Sequence, residues 1–316
     1  MDSQTRILEI LLRLQNGEQL TKNQLVTKYK INERTIQRDF SLLKYLINDQ
    51  ALLPAEISYD AKHYSYHMER GDSFDKKEVL IISKILLESR ALNKSEMNAL
   101  LDGLLKLLNA DDAKAVKNII GSEQLAYKGI INESERISKI WQLTEYIRQE
   151  KVIEISYKNH YSNKLTKFQI WPVALFFDNN YFYLVGYNNY RSTYNTLRID
   201  YIIGIEETNE KKPNISYGQK YRDGDERNYR VDAFQGAIRH LTVEYSSQKD
   251  FILDRFPESR VLSEEGDKLV IDLVAQWSPG TQRWLLSQTD VLKIINPPSA
   301  IKWLTETLEK NLKKYK

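Results

Sequence analysis

Apolar positions near the N-terminus recur with the period of an α-helix. Ile7, Ile10, Leu11 and Leu14 mark a first helix, and Asn16-Gly17 supplies its stop. Leu25, Val26 and Tyr29 give the next stretch an apolar side, with Thr21 and Gln24 spaced as a capping box at its start. Lys30-Ile31-Asn32 reads as a turn whose Asn32 caps a third helix, and Ile36, Phe40, Leu43 and Ile47 form that helix's buried stripe. Residues 56–68 then alternate polar and apolar around Asp60-Ala61-Lys62-His63, which predicts a β-hairpin; a hairpin after three helices is the wing of a winged helix. From 74 to 149 the pattern is helical again. Val79, Ile82, Leu86 and Leu87 recur first, then Met97, Leu100, Leu101, Leu104 and Leu108, and Asn93/Glu96 and Asn132/Glu135 are spaced as capping boxes. This region suits a linker or a dimerisation surface.

The period changes near Lys151. Residues 152–159, 165–177, 181–187 and 196–202 read as short strands of a compact all-β unit, a small barrel, with Pro172 inside its second strand. Residues 209–235 are polar and read as a linker. The rest runs strand 240–245, helix 249–256, strands 260–264 and 269–276, helix 280–287, strand 291–295 and helix 298–314, the βαββαβ order of a ferredoxin-like domain with one more helix. The expected fold class is therefore multidomain α+β. It comprises an N-terminal winged helix-turn-helix (1–70), a helical linker or dimerisation region (71–150), a small β-barrel (151–208), a linker (209–235) and a C-terminal ferredoxin-like domain (236–316).

Charge sharpens the N-terminal part. The 316 residues carry a formal charge of only +3, but Lys22, Lys28, Lys30, Arg34, Arg38 and Lys44 face only Glu33 and Asp39 between Thr21 and Tyr45. A positive stretch on an otherwise balanced chain is what phosphate binding needs. Arg34, Gln37 and Arg38, opposite the apolar stripe, carry the donors that pair with guanine and adenine edges in a major groove. The plainer alternative is a solvated helix face; the local charge favours DNA.

Other chemistry is sparse. Cysteine is absent, which removes disulfides, thiolate metal sites and cysteine nucleophiles and suits a reducing, cytoplasmic setting. No stretch approaches about 18 consecutive apolar residues, so no membrane span is expected, and the N-terminal pattern lacks a signal peptide's apolar run. Phosphate-binding glycine loops and nucleophile elbows are missing. The four histidines, His63, His67, His160 and His240, show no metal-ligand spacing; His63 and His67 read as wing surface. The chain reads as neither an enzyme nor a metal or cofactor protein. Tyrosine is abundant, 20 against 9 phenylalanines, and Tyr181, Tyr183, Tyr187, Tyr190, Tyr194 and Tyr201 cluster with Arg191 and Arg198. Rings beside guanidinium groups suit a nucleotide or single-stranded nucleic acid. Equally, tyrosine is a strong strand former and its rings pack barrels. Alternation puts Tyr181, Tyr183, Val185 and Tyr187 on one face and Phe182, Leu184 and Gly186 on the other.

Taken together these residues resemble the WYL-domain transcriptional regulators of bacteria, over nearly the whole chain. Residues 32–43, NERTIQRDFSLL, are similar to that family's helix-turn-helix signature, most closely at Arg34-Thr35-Ile36-Gln37-Arg38-Asp39. The name-giving tripeptide falls on Phe182-Tyr183-Leu184, with Phe in the Trp position. The later Arg-x-Asp-Arg-Ile element falls on 198–202, where Tyr201 replaces the second Arg. The family's proline falls on Pro172, and Lys167 stands where Arg is common. The stretch 283–304 is similar to the family's WCX extension. The resemblance implies an Sm-like barrel that senses a ligand, for several members a nucleotide or nucleic-acid fragment, with Tyr157, Lys167, Tyr183 and Arg198 as ligand residues. Tyr187 and Arg191 join them from the residue pattern alone.

The expected protein is a cytoplasmic transcription factor and, because two-fold operators need two reading helices, a homodimer. It would bind double-stranded operator DNA through Thr21, Lys22, Asn32, Arg34, Thr35, Gln37, Arg38 and Lys44. The alternative is a single-stranded DNA or RNA binding protein that uses the tyrosine-rich barrel without a transcriptional role.

Overall fold

The computed structural model describes residues 2–50, 55–70, 74–132, 134–158 and 164–316. They divide into two compact units, Met1–Ile130 and Ile131–Lys316; His160 lies outside the described residues.

The first unit opens with α1 (Ser3–Gln15), closed by Gly17 at φ 84°, a left-handed conformation that glycine adopts without cost. A short strand β1 (Leu20–Thr21) leads to α2 (Lys22–Tyr29) and α3 (Glu33–Lys44), and α3 runs on as one π-helical turn over Tyr45–Asp49. The hairpin β2 (Ala55–Asp60) and β3 (Ser65–Arg70) completes a sheet of order β1-β3-β2. Ile10, Leu14, Leu25, Ile36, Phe40, Leu43, Ile47, Ile57 and Tyr66 close one core, so the apolar stripes of three helices meet the wing. This is the expected winged helix. Helices α4 (Lys76–Ser89), α5 (Lys94–Leu105) and α6 (Ala110–Ala126) follow, and Asn93 and Glu96 form the expected capping box.

The second unit starts with α7 (Ile137–Arg148). The box expected from Asn132 and Glu135 does not form. The helix begins at Ile137 without a side-chain cap, and Asn132 instead donates to the Asp200 carbonyl at 2.7 Å and accepts from the Ser134 amide. A tertiary partner for the amide outcompetes the local cap. Leu143 of α7 enters the core of a five-stranded antiparallel sheet, so α7, read from sequence with the preceding helices, packs with the β unit. Its strands are β4 (Ile153–Lys158), β5 (Leu165–Asp178), β6 (Tyr181–Asn188), β7 (Thr193–Arg198) and β8 (Ile202–Glu207), in the order β7-β6-β5-β4-β8. The long β5 pairs with β4 along its first half and with β6 along its second, and a bulge between Pro172 and Ala174 makes the bend. Proline lacks the donor a continuous ladder would need there.

Residues 209–235 contain a short helix α8 (Asp223–Tyr229) and do not run free. Val231 joins the core of the C-terminal domain, and Ala233 packs with Phe176 and Val185 of the β unit. That domain comprises β9 (Ile238–Tyr245), α9 (Lys249–Arg255), β10 (Arg260–Glu265), β11 (Lys268–Gln276), α10 (Pro279–Ser287), β12 (Leu292–Asn296) and α11 (Pro298–Leu312). Its sheet order, β10-β11-β9-β12, is the ferredoxin-like arrangement that the element order predicts.

Candidate functional site

Two places concentrate the residues singled out from sequence, one in each unit. In the winged helix, three of them hold helix ends. Thr21 and Gln24 close the box on α2, and the Asn32 carboxamide oxygen accepts from both the amide and the hydroxyl of Thr35 at 2.8 Å. Lys22 reaches Glu33 at 3.3 Å, and the Lys44 ammonium lies 5.5 Å over the Tyr66 ring. Arg34, Gln37 and Arg38 remain on the outer edge of α3, all exposed. Gln37 is steadied by the wing, since the Tyr66 hydroxyl donates to its side-chain oxygen at 3.3 Å, and the Tyr66 ring itself stacks on Phe40 at 3.7 Å. Neither Arg34 nor Arg38 meets a hydrogen-bond or ion-pair partner among the described residues.

Asp39, one of the two acids in this basic stretch, is not on the surface. It is 1% exposed and accepts from Arg6 Nε of α1 at 2.7 Å. The outer face of α3 therefore carries Glu33 as its remaining acid, already facing Lys22. The edge is more positive than a count along the sequence indicates.

In the β unit the expected ligand residues separate. The Arg198 guanidinium makes a paired contact with Asp200, 3.1 Å from Nε and 2.7 Å from Nη2, while its plane lies 3.5 Å from the Tyr181 ring and 4.1 Å from Tyr201. Tyr201 thus becomes, with Tyr181, a platform for Arg198. Tyr183 stacks on Phe176 at 5.2 Å, and burial pushes its hydroxyl up to about 12. The Arg230 guanidinium lies 3.5 Å from the Phe176 ring centroid and donates to the Tyr221 hydroxyl. Tyr187 meets Tyr194 edge-on at 5.0 Å, and the Tyr194 hydroxyl accepts from the Tyr221 amide at 3.0 Å. Tyr221, Arg230 and Ala233 thus cover part of the tyrosine cluster, at Phe176, Tyr183 and Tyr194. Lys167 is exposed and paired with Glu206 at 3.0 Å and Glu154 at 3.6 Å.

Tyr157 and Arg191 come together in a cleft of about 900 Å³ against the five-stranded sheet. Tyr157, Phe168 and Leu197 give it an apolar floor continuous with the core of the β unit. Burial raises the Tyr157 hydroxyl to about 12, so it stays protonated at neutral pH. Around the floor stand Gln169, Asn189, Asn195 and Thr196, none of them singled out from sequence. The amide-rich run 188–195, NNYRSTYN, was the available signal, but asparagine at a hairpin is ordinarily a turn residue. Among the described residues no group of three or more His, Asp or Glu side chains could hold a metal ion. No helix there is long and apolar enough to cross a membrane.

Residues 139–207 match the family model of the WYL domain. Among solved structures, the chain is similar to proteasome accessory factor B/C (PafBC) of Arthrobacter aurescens, at 13% identity and a TM-score of 0.32, over 90% of this chain and 44% of that one. It thus spans less than half of that structure's length. It is also similar to a CRISPR Cas-related protein, at 14% identity and a TM-score of 0.36, over 77% of this chain and 74% of that one. No curated protein matches the chain.

Proposed function

We propose, for a chain that carries a WYL domain over residues 139–207, the function of a DNA-binding transcriptional regulator: its winged helix reads duplex DNA and its β unit senses an effector derived from nucleic acid. The observation that carries this reading is the outer edge of α3. Arg34 and Arg38 are exposed and without partners among the described residues, one turn apart, with Gln37 held between them by the wing. Guanidinium and carboxamide groups at the start of an exposed helix are suited to paired hydrogen bonds with base edges, and leaving them without protein partners makes sense where a ligand completes them. Thr21, Asn32 and Thr35 act by holding the helix ends that present this edge. The regulator is proposed to work as a homodimer, two copies giving two half-sites.

The test is selection of bound duplexes from a random pool by the full-length protein, followed by anisotropy titration of the enriched sequence at fixed salt. Arg38→Ala is expected to weaken binding by about 1–3 kcal/mol, roughly 5- to 150-fold, with an unchanged melting temperature. Failure to enrich any duplex, or unchanged affinity in both Arg34→Ala and Arg38→Ala, would remove α3 as the reading element. The single-strand alternative is less favoured, because Tyr183 and Tyr194 of the row it would use pack against Tyr221 and Ala233.

A further inference from the structure

We infer that the cleft against the five-stranded sheet is the effector site, and that it takes an uncharged nucleobase or nucleoside, held by the edge of its base and not through phosphate. The inference rests on the reading of the β unit as a sensor of nucleic-acid-derived effectors, and it narrows that class.

Size and shape come first. A cleft of about 900 Å³ is of the size that encloses a small molecule. Its floor of Tyr157, Phe168 and Leu197 offers an apolar surface to a planar ring, and Tyr190 on its wall is 97% exposed, a ring available for stacking.

The polar groups then specify the kind of ring. Thr196 lines the cleft, and its hydroxyl is buried without a hydrogen-bond partner, a costly state that a bound polar group would relieve. The carboxamides of Gln169, Asn189 and Asn195 make no hydrogen bond among the described residues. Each presents a donor and an acceptor side by side, the pairing geometry that matches a base edge.

Charge excludes the phosphate. Among the described residues, Arg191 is the one cationic side chain lining the cleft, against Glu154 and Glu210. The nearby Lys167 is committed to Glu206 and Glu154, and Arg198 to Asp200. A phosphate would meet acids with no cluster of uncompensated cations to hold it, whereas a neutral base meets no such opposition.

The experiment is calorimetric titration of the full-length protein with adenosine, guanosine, cytidine and uridine, then with their 5′-monophosphates. The expected result is saturable binding of at least one nucleoside, with its monophosphate at least about fivefold weaker. Replacing Glu154 and Glu210 by Gln together should narrow that gap, a change that a merely structural role would not produce. Asn195→Ala and Thr196→Val should each weaken the nucleoside about tenfold; should Thr196→Val fail to fold, the exposed Asn189→Ala takes its place. No nucleoside binding below millimolar concentration, or a monophosphate that binds more tightly than its nucleoside, overturns the inference. Affinity of the same preparation for its selected duplex is measured in parallel, so loss of the effector site and loss of the DNA-binding reading are told apart.

Discussion

Asp39 shows how one residue's position reverses its electrostatic meaning. In the sequence it dilutes the basic stretch, whereas in the fold it pairs with Arg6, 5% exposed, and leaves the surface to Arg34 and Arg38. Buried pairs of this kind add little net stability over an apolar pair, but removing one partner strands a charge. Arg6→Ala is thus expected to destabilise the first unit by about 3–5 kcal/mol, while Arg6→Met with Asp39→Leu recovers most of the loss. Urea unfolding followed at the first unit checks this; a single-variant loss under about 1 kcal/mol would mean that water compensates Asp39. Arg198 makes the same point in reverse. Its type and place suggest a ligand contact, yet two of its nitrogens are spent on Asp200 and its faces on two tyrosines.

At the scale of elements, the informative segment is 209–235. Its charged composition reads as a linker because its apolar residues, Ile215, Val231 and Ala233 among them, are too sparse to set up a period. The fold uses each singly: Val231 in the C-terminal core, Ala233 against Phe176 and Val185, and Arg230 across the Phe176 ring. The Val231 carbonyl also accepts from Arg255 at 2.5 Å. Val231→Ala is accordingly expected to cost about 2 kcal/mol in the second unit, read as a lower melting temperature in calorimetry. A solvated linker residue would tolerate that change. The bend of β5 at Pro172 is the opposite case, an element whose irregularity a single residue announces.

At the scale of the whole molecule, a formal charge of +3 says little about affinity for DNA, because the cations that matter sit on one small domain. On the proposed reading, the duplex affinity is expected to fall steeply with salt, its logarithm declining by about 0.9 per phosphate neutralised for each tenfold rise in salt. Titration between low and physiological salt measures the slope. A slope near zero would argue against phosphate contact, and Arg38→Ala separates roles: loss confined to the best sequence marks a base contact, uniform loss a phosphate contact.

What the chain determines by itself is periodic. Helix and strand repeats, capping residues and turn signals are local, so the winged helix, the β unit and the βαββαβ order could be read from residue spacing, and α3 could be oriented from its stripe. What only the tertiary structure decided is which polar groups are already satisfied. Hydrogen bonds and ion pairs join residues distant in sequence, so no spacing reveals that Arg6 neutralises Asp39 or that Tyr221 and Ala233 pack against Tyr183 and Tyr194. The cleft of Tyr157, Gln169, Asn195 and Thr196 likewise exists only because β5 bends and brings two hairpins together.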